Sequence, residues 1–172
     1  MQFKPVPEPP NSLDALAAVS EALPPEADPD VDCCARVIER TGVETRDDAA
    51  EWITFCRALG LVVAEPDGYR REPPVRTTSD RESLDRAQLA NTFRERVVGA
   101  DEVLRTLEDV DDPVSPAELV ERLEARDGIP ASEQRRHGER VSTVWTDRVG
   151  RILEWATLFG AAERVEGGYR LA

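Results

Sequence analysis

The chain of 172 residues has almost no lysine: of its 22 basic residues only Lys4 is a lysine, and the other 21 are arginine. Histidine is nearly absent too, with His137 alone in a polar, arginine-rich stretch and beside no serine or cysteine placed as a nucleophile. No phosphate loop, HExxH pair or nucleophile elbow occurs. Carboxylates are so numerous that any catalytic pair would be an arbitrary choice. These gaps leave no enzymatic reading: no catalytic residue and no cofactor are expected.

The three cysteines are too few for a disulfide framework, and Cys33, Cys34 and Cys56 form no paired CxxC site. Neighbouring cysteines do not readily bridge each other, so all three are read as small core residues. A set of Cys33, Cys34, Cys56 and His137 has a spacing unlike a zinc knuckle, and no metal is expected. Long apolar runs are missing as well. The longest, residues 58–64, has seven residues, far short of the ~20 that span a bilayer. The opening "MQFKPVPEPP" carries no apolar signal segment. The expectation is a cytoplasmic protein with no membrane partner.

What the chain has in excess is negative charge, with 35 acids against 22 bases and a formal net charge of −13. Such a balance ordinarily repels phosphate. Acid enrichment with arginine in place of lysine, however, matches proteins of a salt-loving cytoplasm. There the screening length falls to about 3 Å at 1 M salt, so acidity speaks to hydration rather than to partners.

The other excess is a repeat. "GLVVAEPDGYRRE" at 60–72 and "GAAERVEGGYRLA" at 160–172 belong to a longer match, 47–72 over 147–172, which runs without a gap. Asp47 meets Asp147, Gly60 meets Gly160, and Gly68, Tyr69 and Arg70 meet Gly168, Tyr169 and Arg170. Internal repeats of this kind decide a fold. Each copy reads as a helix followed by a hairpin. Thr45 is a good N-cap with Asp48 three residues on, and Thr146 takes the same place in the second copy. At 100° per residue Ala49, Trp52, Ile53, Cys56 and Leu59 share a face, as do Val149, Ile152, Leu153, Ala156 and Phe159. Gly60 and Gly160 stop the helices, and "PDG" and "EGG" turn the hairpins. Upstream, helices are predicted over 12–23 and 31–40 in the first half. Their counterparts are 100–110 and 116–126 in the second, where Ser115 caps and Pro116 opens the first turn. Residues 72–83 read as a linker, followed by an added helix at 84–98.

Helix, helix, helix, hairpin is the winged-helix order, here written twice. "RTGVETRDDAAEWITFCRALGLVVAEPDGYRR" resembles the later part of one winged-helix domain, and "PVSPAELVERL" with "VWTDRVGRILEWATLFGAAERVEGGYRL" resembles another. The whole chain, including "MQFKPVPEPP" and "FRERVVGADEVL", is similar to a haloarchaeal family with tandem winged-helix domains. The resemblance implies a mainly α fold with small β-hairpin wings: an N-terminal domain at 1–72, a linker and connecting helix at 73–98, and a C-terminal domain at 99–172. The haloarchaeal family carries no activity to transfer; the likeness to winged-helix proteins as a group implies double-stranded DNA as the partner and transcription regulation as the role, while a minority of that group bind proteins as scaffolds.

In winged-helix DNA binders the third helix enters the major groove, so its outer face should carry donors. The first copy offers Asp47, Ala50, Glu51, Thr54 and Ala58 there, a poor set for a phosphate-walled groove. The second carries Arg148 and Arg151, shared with Asp147, Glu154 and Leu158, and follows Arg135, Arg136, His137 and Arg140. The expected DNA contacts are therefore Arg135, Arg136, Arg140, Arg148 and Arg151, with Arg170 on the wing as a further contact. The competing reading is a solvated arginine face paired with the abundant carboxylates, and for Arg70 and Arg170 a Gly-Tyr-Arg trio that only shapes the hairpin. Phe55 and Trp155 lie beside the apolar stripe at matching angles. Together with Phe93 on the connecting helix they are expected to form an interface, between the two copies or in a homodimer or with a protein partner.

Overall fold

The computed structural model describes residues 1–72 and 84–172. The predicted linker falls, from residue 73 on, outside them. In the first half three helices, α1 (Asp14–Ala22), α2 (Cys33–Arg40) and α3 (Arg46–Ala58), lead into a hairpin of β1 (Val62–Glu65) and β2 (Gly68–Arg71). A connecting helix α4 (Arg86–Arg96) precedes the second half. There α5 (Ala100–Glu108), α6 (Pro116–Ala125), a short α7 (Ala131–His137) and the long α8 (Val141–Leu158) lead into β3 (Ala162–Val165) and β4 (Gly168–Leu171). Both hairpins are antiparallel with two-residue turns, Glu65 pairing Gly68 and Val165 pairing Gly168.

The helix boundaries follow from local chemistry. The Thr45 side chain accepts from the Asp48 amide at 3.1 Å, satisfying one orphan donor at the start of α3. Ser115 and Glu118 form a reciprocal capping box, with Pro116 in the first turn of α6. Asp32 and Asp85 cap α2 and α4 in the same way. Gly60 and Gly160 both take φ +77 after α3 and α8, in the region that favours glycine.

Thr146 departs from its expected role. It lies in the second turn of α8, and its hydroxyl donates to the Ser142 carbonyl at 2.7 Å. The helix begins at Val141, directly after a 3-10 turn at Gly138–Arg140. No proline or glycine breaks "VSTVWT", and the fully buried Trp145 anchors this first stretch against Gly99. The arginine-rich segment forms the short α7 plus that turn.

A single aromatic cluster joins the halves. Phe55 of α3 lies 4.6 Å from Trp155 of α8 and 6.2 Å from Phe93 of α4, centroid to centroid. Trp52 meets Trp155 edge-on at 5.6 Å, and Phe159 packs on both Phe93 and Trp155. Such pairs contribute about 0.5–1.5 kcal/mol each beyond their burial. Phe55, Phe93 and Trp155 are all 0% exposed. The matching angles of Phe55 and Trp155 thus reflect packing of one copy on the other within the chain, and these three residues present no surface to a second molecule.

Residues 3–9, assigned on sequence to the first domain, run along α8 of the second half. Phe3 pairs with Val97 in a parallel bridge, its amide donating to the Arg96 carbonyl at 2.7 Å. Phe3, Val6 and Pro7 are buried. Among the described residues no helix is long and apolar enough to cross a membrane.

Candidate nucleic-acid interface

The long helix α8, which takes the place of a winged helix's third helix in the second half, is the element that would enter a major groove, and the face bearing Arg148, Arg151 and Trp155 is covered. Arg148 donates to the carbonyls of Lys4 (2.6 Å) and Val98, Arg151 donates to the Val6 carbonyl at 3.1 Å, and the Trp155 indole donates to the Pro7 carbonyl at 2.9 Å. The spacing i, i+3, i+7 puts these three donors on one helical face. Arg148 also lies over the Trp145 ring, 5.7 Å from its centroid. Burial pushes its guanidinium below the ordinary value, with the Glu133 carboxylate opposing the shift. Arg151 pairs in addition with Asp147 at 3.3 Å. The outward orientation expected for Arg148 and Arg151 is therefore not what the fold provides. A helical face lying off its own unit's apolar stripe has been covered by residues remote in sequence.

What remains open along α8 is acid-lined. A groove of about 770 Å³ between α8, the covering segment and the second wing is bordered by Glu8, Asp147 and Glu154, with Arg151 as its one cation among the described residues. The Tyr169 hydroxyl donates to Glu154, which also pairs with Arg164 at 3.2 Å. Burial and the Glu154 hydrogen bond push the Tyr169 hydroxyl up to about 12. On α3, the half-buried Glu51 is pushed upward by burial while the charge of Arg151 draws it back.

The other expected contacts separate into two groups. Arg170 pairs with Glu163 across the second hairpin, and Arg70 pairs with Glu65 and Glu72 in the first. Exposed pairs of this kind contribute about 0–1 kcal/mol; the wing arginines are held in them rather than standing free. Arg135, Arg136 and Arg140 are exposed and make no ion pair or side-chain hydrogen bond with any described residue. They sit on the last turn of α7 and the 3-10 turn, at the foot of α8. His137, between them, faces Glu133 at 3.3 Å.

Two structural features around α8 escape sequence reading. Glu133 is only 8% exposed although it lies in a polar stretch, and Lys4 reaches across 129 positions to pair with it. The lysine hydrogen bond holds the Glu133 carboxyl below its usual range. The other is the covering segment itself, whose only sequence signal is the alternation of Pro5, Pro7 and Pro9 around the sole lysine and an isolated Val6.

Two helix–helix–helix–hairpin units in one chain define a tandem winged-helix protein, built on a fold of the DNA-binding type. The chain belongs to the halobacterial double winged helix domain family, which matches residues 1–172. No curated protein and no solved structure matches it.

Proposed function

We propose that the protein binds double-stranded DNA as a regulator, making phosphate contacts through Arg135, Arg136 and Arg140 at the foot of α8. The observation that carries this reading is the contrast among arginines. Those of the wings and of the α8 face are engaged, whereas these three adjacent groups have no partner among the described residues. Guanidinium groups suit phosphate because their planar forks bind it bidentately. Phosphate contacts position a protein on a duplex without reading its sequence, so binding at rest is expected to be weakly sequence-dependent.

The test is fluorescence anisotropy on a mixed-sequence duplex over a potassium chloride series. Replacing all three arginines by glutamate should abolish binding. Neutralising them with glutamine should flatten the dependence of log K on log salt by about 2.7, at a slope of ~0.9 per contact. Undiminished binding by both variants would refute the proposal.

One observation favours a second reading, a protein-binding scaffold. Both third helices turn inward onto a common aromatic cluster, which removes from DNA the element that winged helices ordinarily use. Absence of duplex binding at every salt concentration, together with a stoichiometric protein partner, would support the scaffold.

A further inference from the structure

We infer that residues 3–9 are an internal cover occupying the DNA-facing side of α8, and that their release hands Arg148 and Arg151 to phosphate oxygens. The inference rests on the DNA-binding reading and adds regulation of the same helix.

Three features support it. The first is the identity of the acceptors. The donor stripe of α8 engages main-chain carbonyls of Lys4, Val6 and Pro7, not their side chains. A phosphate oxygen is an acceptor of the same kind, and charge makes it a stronger one. Exchanging one for the other preserves the hydrogen bonding of each arginine.

The second is incomplete satisfaction at rest. A guanidinium carries five N–H donors, and the buried Nε of Arg148 has no partner. An unpaired buried donor is costly, so the covered state leaves this arginine short of what a phosphate would supply.

The third is how lightly the main chain of the cover is held. Backbone-to-backbone hydrogen bonds join it to the rest of the described residues only at Phe3, which bonds Arg96 and Val98; its other main-chain ties are the Lys4, Val6 and Pro7 carbonyls that the α8 donors use. Pro5, Pro7 and Pro9 have no N–H to leave unpaired on release. The far side is tied by the Lys4–Glu133 pair, a single charged contact in which the lysine side chain is 56% exposed and the Glu133 side chain 11%.

The full-length chain tests this by anisotropy with the mixed-sequence duplex. Lys4→Glu places two carboxylates against each other at the tie and makes an already acidic chain more negative. Simple electrostatics demands weaker DNA binding from that change; release of the cover demands tighter binding, by about fivefold as the competent fraction rises. Val6→Ala trims the buried contact without altering charge and should move affinity in the same direction. Adding Arg148→Gln and Arg151→Gln to Lys4→Glu should erase the gain. If neither single variant binds more tightly than a wild type that does bind, the cover is overturned and the contacts of Arg135, Arg136 and Arg140 stand. If wild type and all variants fail to bind duplex, the cover falls together with the DNA-binding reading.

Discussion

Replacing Gly168 by alanine gives a sharp test of how the second wing is fastened. Gly168 opens β4 at φ +141, and a Cβ there would lie 2.2 Å from the Val114 carbonyl oxygen and 2.9 Å from the Ser115 nitrogen. Its repeat partner, Gly68, has nearly the same φ, +134, yet its nearest neighbour would be the Asp28 carbonyl oxygen at 3.5 Å, ordinary contact. Both substitutions therefore carry a similar backbone strain, about 1–3 kcal/mol. Only Gly168→Ala must also push back the 114–115 segment. That segment exchanges two hydrogen bonds with Tyr169, at 3.0 and 2.9 Å, each contributing about 1 kcal/mol. It also carries the Ser115 cap of α6, whose loss costs ~1 kcal/mol. The difference between the variants should be about 2–3 kcal/mol, which for a chain of this size is roughly 5–10 °C in Tm. Thermal unfolding followed by far-UV circular dichroism measures it. Equal midpoints for Gly168→Ala and Gly68→Ala would refute the bridge between residue 114 and the second wing.

Two further outcomes test the core and its titration. Phe55→Ala should destabilise the chain by about 3–5 kcal/mol. Because Phe55 touches aromatics of α4 and α8, both wings should lose hydrogen-exchange protection together; separate transitions for the two halves would contradict a common core. The Tyr169 hydroxyl, pushed up to about 12, stays protonated in the folded chain over a range in which an unfolded tyrosine, near 10, ionises. Its contribution is fully present below pH 10 and is lost as pH rises through 12. Urea midpoints from pH 9 to 11.5 should fall more steeply for wild type than for Tyr169→Phe.

The repeat made the architecture legible. Glycines a hundred residues apart, a Thr45 cap and a Ser115 cap followed by Pro116 are local signals, and the folded chain uses each of them. The aromatic angles of Phe55 and Trp155 were legible in the same way, since a large residue just off an apolar stripe asks for a second surface to pack on. The covered face of α8 was not. Periodicity sorts a helix into core and outside relative to its own unit; it is blind to a segment 144–148 positions away that supplies carbonyls to Arg148, Arg151 and Trp155. Thr146 failed for a related reason. Its residue type suits a cap, but a helix starts where its continuity is first possible, and buried Trp145 extended that continuity back to Val141.

The order in which the chain is written sets the order in which it can be finished. The tract around Val6 leaves the ribosome well ahead of the helix it must lie on, since Trp155 follows Pro7 by 148 positions. At about 5–20 residues per second, translation holds that tract without its seat for roughly 7–30 seconds. Until α8 is complete, the apolar, proline-spaced tract around Val6 has no seat in which to be buried.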